Sequence, residues 1–557
     1  MRKRIAAAGL TIVLMFGLIV GAGRQIAEEP EREIKEFTAF FATPGEEKHT
    51  DNEIQTLIAQ KIGAKCTEYW LNGQTADEAI ASYIASGEYP DFISADVTLY
   101  EAGALIPLDE YWEDYPNIRG YMSDADWDKF RQEDGHIYWM PQFGVVREPA
   151  EDSIHEGEAF WIQTRVLKWA GYPKITTVEA YFDLLEAYME ANPNVSDLTG
   201  QGETVRNIPF TILCDDWRYF CLENPPQFLD GYPNDGSVMV DPATQKVMDY
   251  NTTPTAKEYF AKLNEEYHKG IIDPESFTQT YDEYIDKLAT GRVLGMVDQW
   301  WQFAYGIDDS LGYTTELGCN YVPLPITMEE GVRNQWHVTR GSEVSIADGI
   351  AITTSCDDIA GAMQFLNDLL DPEIRLLRYW GIEGVDYEVD ENGGFYRTSE
   401  QRKNALDHEY GEEHLCIYAY FPRIEGLCED GINSFSPEYQ KGEFFDMLAP
   451  DVRECFQAYD CMSYVDMLGS NESPGPWFPM YSYSDLLTPE TEAGAAWDNM
   501  GKVKHTYLPQ VIMSDDFEST WQEYMTQYEN CHPEAFLAEM QQELERRIEA
   551  AGVTENQ

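Results

Sequence analysis

An α/β fold divided into two lobes is the architecture this chain predicts, and three observations carry that expectation. The first is length: 557 residues exceed what a single hydrophobic core organises, so two or more lobes follow. The second is a strand–helix–strand opening. Glu36–Phe41 reads as a strand running into a turn at Pro44-Gly45. A helix then places Ile54, Leu57, Ile58 and Ile62 on one face, and Cys66–Leu71 reads as the second strand. Such a βαβ start calls for a parallel sheet covered by helices. The third is composition, 43% hydrophobic and 13% aromatic, which is that of a folded chain.

The stretch Ala85–Asp109 carries the next unit. The helix before it opens on the capping box Thr75-x-x-Glu78 and ends at Gly87, and Pro90 leads into the apolar pair Phe92-Ile93. Thr98-x-x-Glu101 reads as a second capping box, and Gly103 breaks that short helix. Residues 94–98 therefore fall at the carboxyl end of a strand, where ligands of open α/β sheets bind. Further on, Thr176-x-x-Glu179 and Thr255-x-x-Glu258 read as helix starts. Val293–Val297 reads as a buried strand ending at Trp300-Trp301, and Trp521–Tyr528 and Pro533–Ala551 as closing amphipathic helices.

Charge and cysteine content exclude several function classes. Against 38 Lys and Arg stand 100 Asp and Glu, a net charge of −62, which repels nucleic acid and anionic membranes. The ten cysteines form no CxxC, and no HExxH or Cys/His cluster with zinc spacing is present, so no metal or other cofactor is expected. Disulfides such as Cys214–Cys221 or Cys455–Cys461 and buried free thiols both remain open. There is no G-x-S-x-G elbow, P-loop or G-x-G-x-x-G, and with 100 acidic residues carboxylate pairs carry no information.

Arg2-Lys3-Arg4 followed by an apolar run to Val20 reads as an export signal or N-terminal anchor over residues 1–27, and residues 28–35 as an acidic linker. Localisation is accordingly expected to be extracellular, associated with the cell surface.

The segments "SGEYPDFISAD", "EAGALIPLDEY" and "DGHIYWMP" resemble the extracellular solute-binding proteins, family 1, of carbohydrate ABC importers in Gram-positive bacteria. Ala159–Ile162, Tyr267–Phe277, Gly291–Met296 with Trp300-Trp301, and Trp380–Tyr387 extend the resemblance in order across residues 35–530. It implies a two-lobed periplasmic-binding-protein-like fold (type II), each lobe a sheet flanked by helices with a cleft between. The implied lobes are 36–145 with 348–400 and 146–347 with 401–557. It also implies a monomer that captures a neutral sugar or oligosaccharide and hands it to membrane permease subunits without catalysis. Relatives of this type carry a lipobox Cys at the cleavage point, whereas the first Cys here is Cys66. The calcium loop many of them carry is matched in degenerate form by residues 197–203, expected to keep its turn without an ion.

Sugar sites need a flat aromatic face under the pyranose ring, with carboxylates or amides at the rim. The candidates are Trp70, Asp96, Trp139, Trp217 beside Asp215 and Asp216, Trp300, Trp301, Trp336 and Glu383. Asp96 and Trp300 follow buried strands and match cleft-lining positions of the resembling family, while Trp161 is assigned to the core. An exported glycosidase, or a binder of peptides on the same fold, is the alternative.

Overall fold

The computed structural model describes residues 34–45, 52–148, 153–155, 157–199, 204–307, 314–315, 317–335, 344–469 and 474–554. The export-signal segment, most of the linker, residues 200–203 of the degenerate loop and Trp336 lie outside them. In chain order the strands are β1 (Lys35–Pro44), β2 (Ala64–Leu71), β3 (Phe92–Ser94), β4 (Trp139–Met140), β5 (Glu158–Gln163), β6 (Ile208–Thr211), β7 (Met239–Asp241), β8 (Lys246–Met248), β9 (Val293–Gln299), β10 (Tyr321–Leu324) and β11 (Ile350–Ile352).

Two sheets organise two separate hydrophobic cores. The first runs β2-β1-β3-β11-β4. Its β1 pairs in parallel with β2 and β3, as the βαβ opening requires, while β11 returns antiparallel between β3 and β4. The helix Glu53–Ile62 crosses over between β1 and β2, burying Ile54, Ile58 and Ile62, with the Asn52 side chain accepting from the Gln55 N–H at its start. The second sheet runs β10-β5-β9-β6, with β5 antiparallel to β9 and β10, and β6 parallel to β9. Every side chain of β5 is buried, as expected of a strand covered on both faces. Trp161 lies in that core, its indole N–H donating to the Asp298 carbonyl at 2.8 Å. Gly295 on β9 is required there, because a Cβ would strike the Tyr181 hydroxyl, which donates to the Trp161 carbonyl.

The first core contains more of the chain than 36–145 with 348–400. Cys416, Tyr418, Phe421 and Ile424 are buried in it, although they fall in the stretch expected to join the second lobe. Phe421 meets Phe92 at 5.6 Å and Phe365 at 5.4 Å between ring centres. The Arg378 guanidinium holds the segment in place by donating to the carbonyls of Leu369, Ile417, Tyr418, Phe421 and Pro422. The second core takes residues from Ile154 to Ile326 and from Phe435 to Leu544. The third passage between the cores thus lies between Ile424 and Phe435, beyond residue 400. There it pairs with the first passage: Glu425 N–H donates to the Val145 carbonyl at 2.8 Å, and Leu427 N–H to that of Glu148 at 2.7 Å.

Helix starts show where a local motif misleads. Thr75 and Glu78 form the reciprocal capping box as read. The next helix, Val97–Glu101, is instead capped by Asp96, and Thr177 rather than Thr176 caps Val178–Ala191. Pro254 at the first helical position makes Thr253 the cap of Pro254–Lys269. The closing helices are Glu492–Met513, Phe517–Glu529 and Pro533–Thr554, the first of which carries Pro509 in its interior. They pack on the second core, Trp497 stacking on Phe536 at 4.6 Å. All ten cysteines are free thiols, eight of them buried, so neither short loop is closed by a disulfide.

Candidate functional site

The buried strand β9 delivers one wall of the site. At its end Asp298 is wholly buried and accepts hydrogen bonds from the Tyr284 hydroxyl at 2.6 Å, the Gln302 amide at 2.7 Å and the Gln299 N–H at 2.7 Å. Burial outweighs these bonds and pushes its carboxyl up to about 7. This network anchors the first turn of the helix Trp300–Gly306, so the two tryptophans that open it point in different directions. Trp300 is half-buried against the second core and hydrogen-bonds the Tyr464 hydroxyl. Trp301 turns outward, its indole N–H donating to Gln299 Oε1 at 2.5 Å.

Trp301 meets Trp217, which arrives from a different part of the chain. The two rings are stacked, with centres 6.0 Å apart and planes 15° from parallel. Trp217 is 42% exposed, unusual for so large an apolar ring. It follows Asp216, whose φ of 51° is uncommon for a residue with a side chain, and it is the second residue of the short helical turn Asp216–Tyr219. The next residue, Arg218, lies between rings, its guanidinium carbon 4.6 Å from the Trp217 centre and 4.3 Å from that of Tyr281.

The first lobe supplies an opposing aromatic cluster from the end of β2 and from the segment held by Arg378. Trp70 and Tyr420 meet edge to face at 5.0 Å, and Phe143 meets Tyr420 at 5.5 Å. Arg423 lies over Phe143 at 4.7 Å. The two walls are in electrostatic reach of one another. Burial raises the Tyr420 phenol, and the positive charges of Arg423 and of Arg218 across the gap oppose that rise. Burial likewise raises the Tyr281 phenol, with Tyr420 adding to the effect.

Of the residues singled out by sequence, Trp70, Trp217 and Trp301 stand on these walls, and Trp300 packs behind one of them. Trp139 is 1% exposed inside the first core, its indole N–H donating to the Ile346 carbonyl at 3.0 Å, so its ring has no surface left for a ligand. Asp96 spends its carboxylate on the helix it caps, accepting from the Thr98 N–H at 2.7 Å and from the Thr98 hydroxyl. Glu383 is exposed on the turn 381–387, which is tied through Asp386 to His414 and Tyr410. Trp336 falls outside the described residues. Sequence reasoning passed over Phe143, Arg218, Tyr281, Tyr420 and Arg423. The strings Asp-Asp-Trp-Arg-Tyr and Tyr-Ala-Tyr-Phe-Pro-Arg were the available signals, since each sets an arginine among rings. Among the described residues no group of three or more His, Cys, Asp or Glu is arranged to hold a metal ion.

Known proteins resemble this chain in sequence and in fold. The fructooligosaccharide ABC transporter substrate-binding protein FusA of Streptococcus pneumoniae is 25% identical to the chain over 386 residues. The match takes in 64% of this chain and 66% of that relative, just under two thirds of its length. The solved structure of FusA in complex with kestose superposes with a TM-score of 0.62 at 17% identity, covering 92% of this chain and 99% of that one. The chain is thus similar in sequence to one ABC-transporter substrate-binding protein and shares the fold of its solved structure. The alginate-binding protein AlgQ2, solved without calcium ion, shares the solute-binding fold at a TM-score of 0.61 and 15% identity, over 93% of this chain and 99% of the other. No family model matches the chain.

Proposed function

We propose that this protein is the extracellular substrate-binding component of an ABC importer, and that it captures an oligosaccharide between its two aromatic walls. The observation that carries the reading is the Trp217–Trp301 stack, with Trp217 exposed, together with the Trp70, Tyr420 and Phe143 cluster of the other core. The two are in electrostatic reach of each other through Arg218 and Tyr420. Rings of this kind bind the C–H faces of pyranose or furanose units, while amides, hydroxyls and guanidinium groups at the rim take the sugar hydroxyls. The fructooligosaccharide named for FusA, and the oligosaccharide ligands of its structural neighbours, support the same class.

The mechanism needs no covalent step. Each wall is built on its own core, and paired backbone segments at 145–148 and 425–427 join the two. A ligand that touches both walls at once binds the closed arrangement more tightly than the open one, and so shifts the population toward closure. The closed form is what the permease subunits receive, from a monomer held at the cell surface.

A saccharide panel tested by thermal shift and calorimetry checks this reading. A saturable rise in melting temperature with the sugar recovered intact is the expected outcome. Cleavage of the saccharide would replace the reading with an exported glycosidase, and saturation by peptides alone would replace the ligand class.

A further inference from the structure

Arg218 is a buried cation that forms no ion pair among the described residues. The residue is 4% exposed, and the Trp217 and Tyr281 rings occupy the surroundings of its guanidinium. Among the described residues its side chain makes no ion pair, and its buried Nε has no hydrogen-bond partner. The nearest carboxylates do not serve it. Asp215 accepts the Tyr281 N–H at 2.9 Å, and the exposed Asp216, though it feels the Arg218 charge, makes no ion pair with it.

Arg378, equally buried, donates to five carbonyls, and the half-buried Arg402 forks onto Glu443 at 2.8 and 2.7 Å, whereas the buried Arg375 and Arg397 each also keep an Nε without a partner. With 100 acidic residues against 38 basic ones, a carboxylate partner is the easiest thing for this sequence to supply, yet Arg218 lacks one. Leaving a buried charge unpaired is strongly unfavourable, whereas a guanidinium fork matches a carboxylate in shape and charge. Arg218 is in electrostatic reach of Tyr420, which belongs to the other aromatic cluster, and its own guanidinium stacks against the exposed Trp217.

We propose that Arg218 binds a carboxylate of the captured saccharide, so that the ligand is an acidic oligosaccharide carrying a uronic-acid-type unit beside the Trp217–Trp301 stack. This rests on the saccharide reading above and adds a charge to a ligand that the sequence alone suggests is neutral. With the counter-ion arriving on the ligand, the empty site tolerates the orphaned donors and the loaded site satisfies them.

Calorimetry on the full chain tests it. The probes are trigalacturonate, trimannuronate and triglucuronate, each beside its carboxyl-reduced neutral counterpart, together with kestose. At least one acid should bind ten-fold or more tighter than its neutral counterpart, and the preference should shrink as salt is raised. Arg218→Gln should abolish the preference, weakening the acid at least ten-fold more than its neutral counterpart. Arg218→Lys, which keeps the charge without the fork, should retain only part of it, and it serves as the readout if Arg218→Gln melts below the assay temperature. Neutral sugars binding as tightly as acids, or equal losses for both in Arg218→Gln, would overturn the acidic ligand and leave the saccharide cleft standing. A panel in which nothing binds wild type would overturn both readings.

Discussion

Trp217 and Trp301 lie ring over ring, 6.0 Å apart, although one belongs to a turn after β6 and the other to the helix after β9. Each is held from its own side. Trp217 rests against Phe220 at 5.8 Å, and the Trp301 indole is tethered to Gln299. The pair therefore stands ready before any ligand arrives, and little ordering entropy remains to be lost on binding.

Removing one ring of that pair should cost affinity without costing the fold. Trp217→Ala is expected to weaken saccharide binding by about 1–2 kcal/mol, roughly ten-fold, with little change in melting temperature because the ring is 42% exposed and packs into neither core. Trp300→Ala should do the reverse, lowering the melting temperature through lost packing and the lost bond to Tyr464. Paired calorimetry and thermal unfolding separate the two.

Lys504 and Glu223 form an ion pair that ties the closing helices to the turn bearing Trp217. The Lys504 ammonium donates to Glu223 at 2.6 Å, and His505 meets the other carboxylate oxygen at 3.0 Å. Burial pushes the Glu223 carboxyl up, but Lys504 and His505 together bring it below its ordinary value. Lys504→Met leaves a buried carboxylate facing one histidine, and should destabilise the protein by about 3–5 kcal/mol. Denaturant unfolding measures the loss, and Lys504→Met with Glu223→Gln should recover much of it.

Asp298 makes stability depend on pH in a definite direction. Its folded carboxyl titrates near 7, above the unfolded value of about 3.9, so the native state holds the proton more tightly. This contribution is complete below pH about 4 and is lost as the pH rises through about 7. Asp298→Asn should flatten that decline. The check is the difference between the wild-type and variant unfolding free energies across pH 4 to 8, which should narrow steadily or change sign over that window.

Gly426 lies where the first and third passages between the lobes run side by side. Its φ is 90°, and a Cβ there would collide with the Glu148 carbonyl oxygen. Gly426→Ala should therefore separate the paired segments, lowering stability by about 1–3 kcal/mol and weakening ligand binding although the residue touches neither wall. Normal affinity in a folded Gly426→Ala would show that closure does not depend on this pairing.

What the sequence by itself determined is the framework. The parallel opening of β1 and β2, the buried runs at β3 and β9, the closing amphipathic helices and the wide spread of acidic charge are all properties of neighbouring residues, and periodicity and composition report neighbours directly. Three tryptophans of the walls were visible too, because a ring after a buried strand or beside carboxylates is a local pattern. Tertiary structure alone decided which rings meet. Trp139 and Trp217 look equally available in sequence, yet one is sealed under the Ile346 carbonyl and the other is stacked on Trp301. Tyr420 and Arg423 could not be placed, because residues 416–424 join the first core through Arg378 and the rings around Phe421, contacts between residues far apart in the chain. A site assembled from two lobes is a property of distance in space, and a linear pattern carries no record of it.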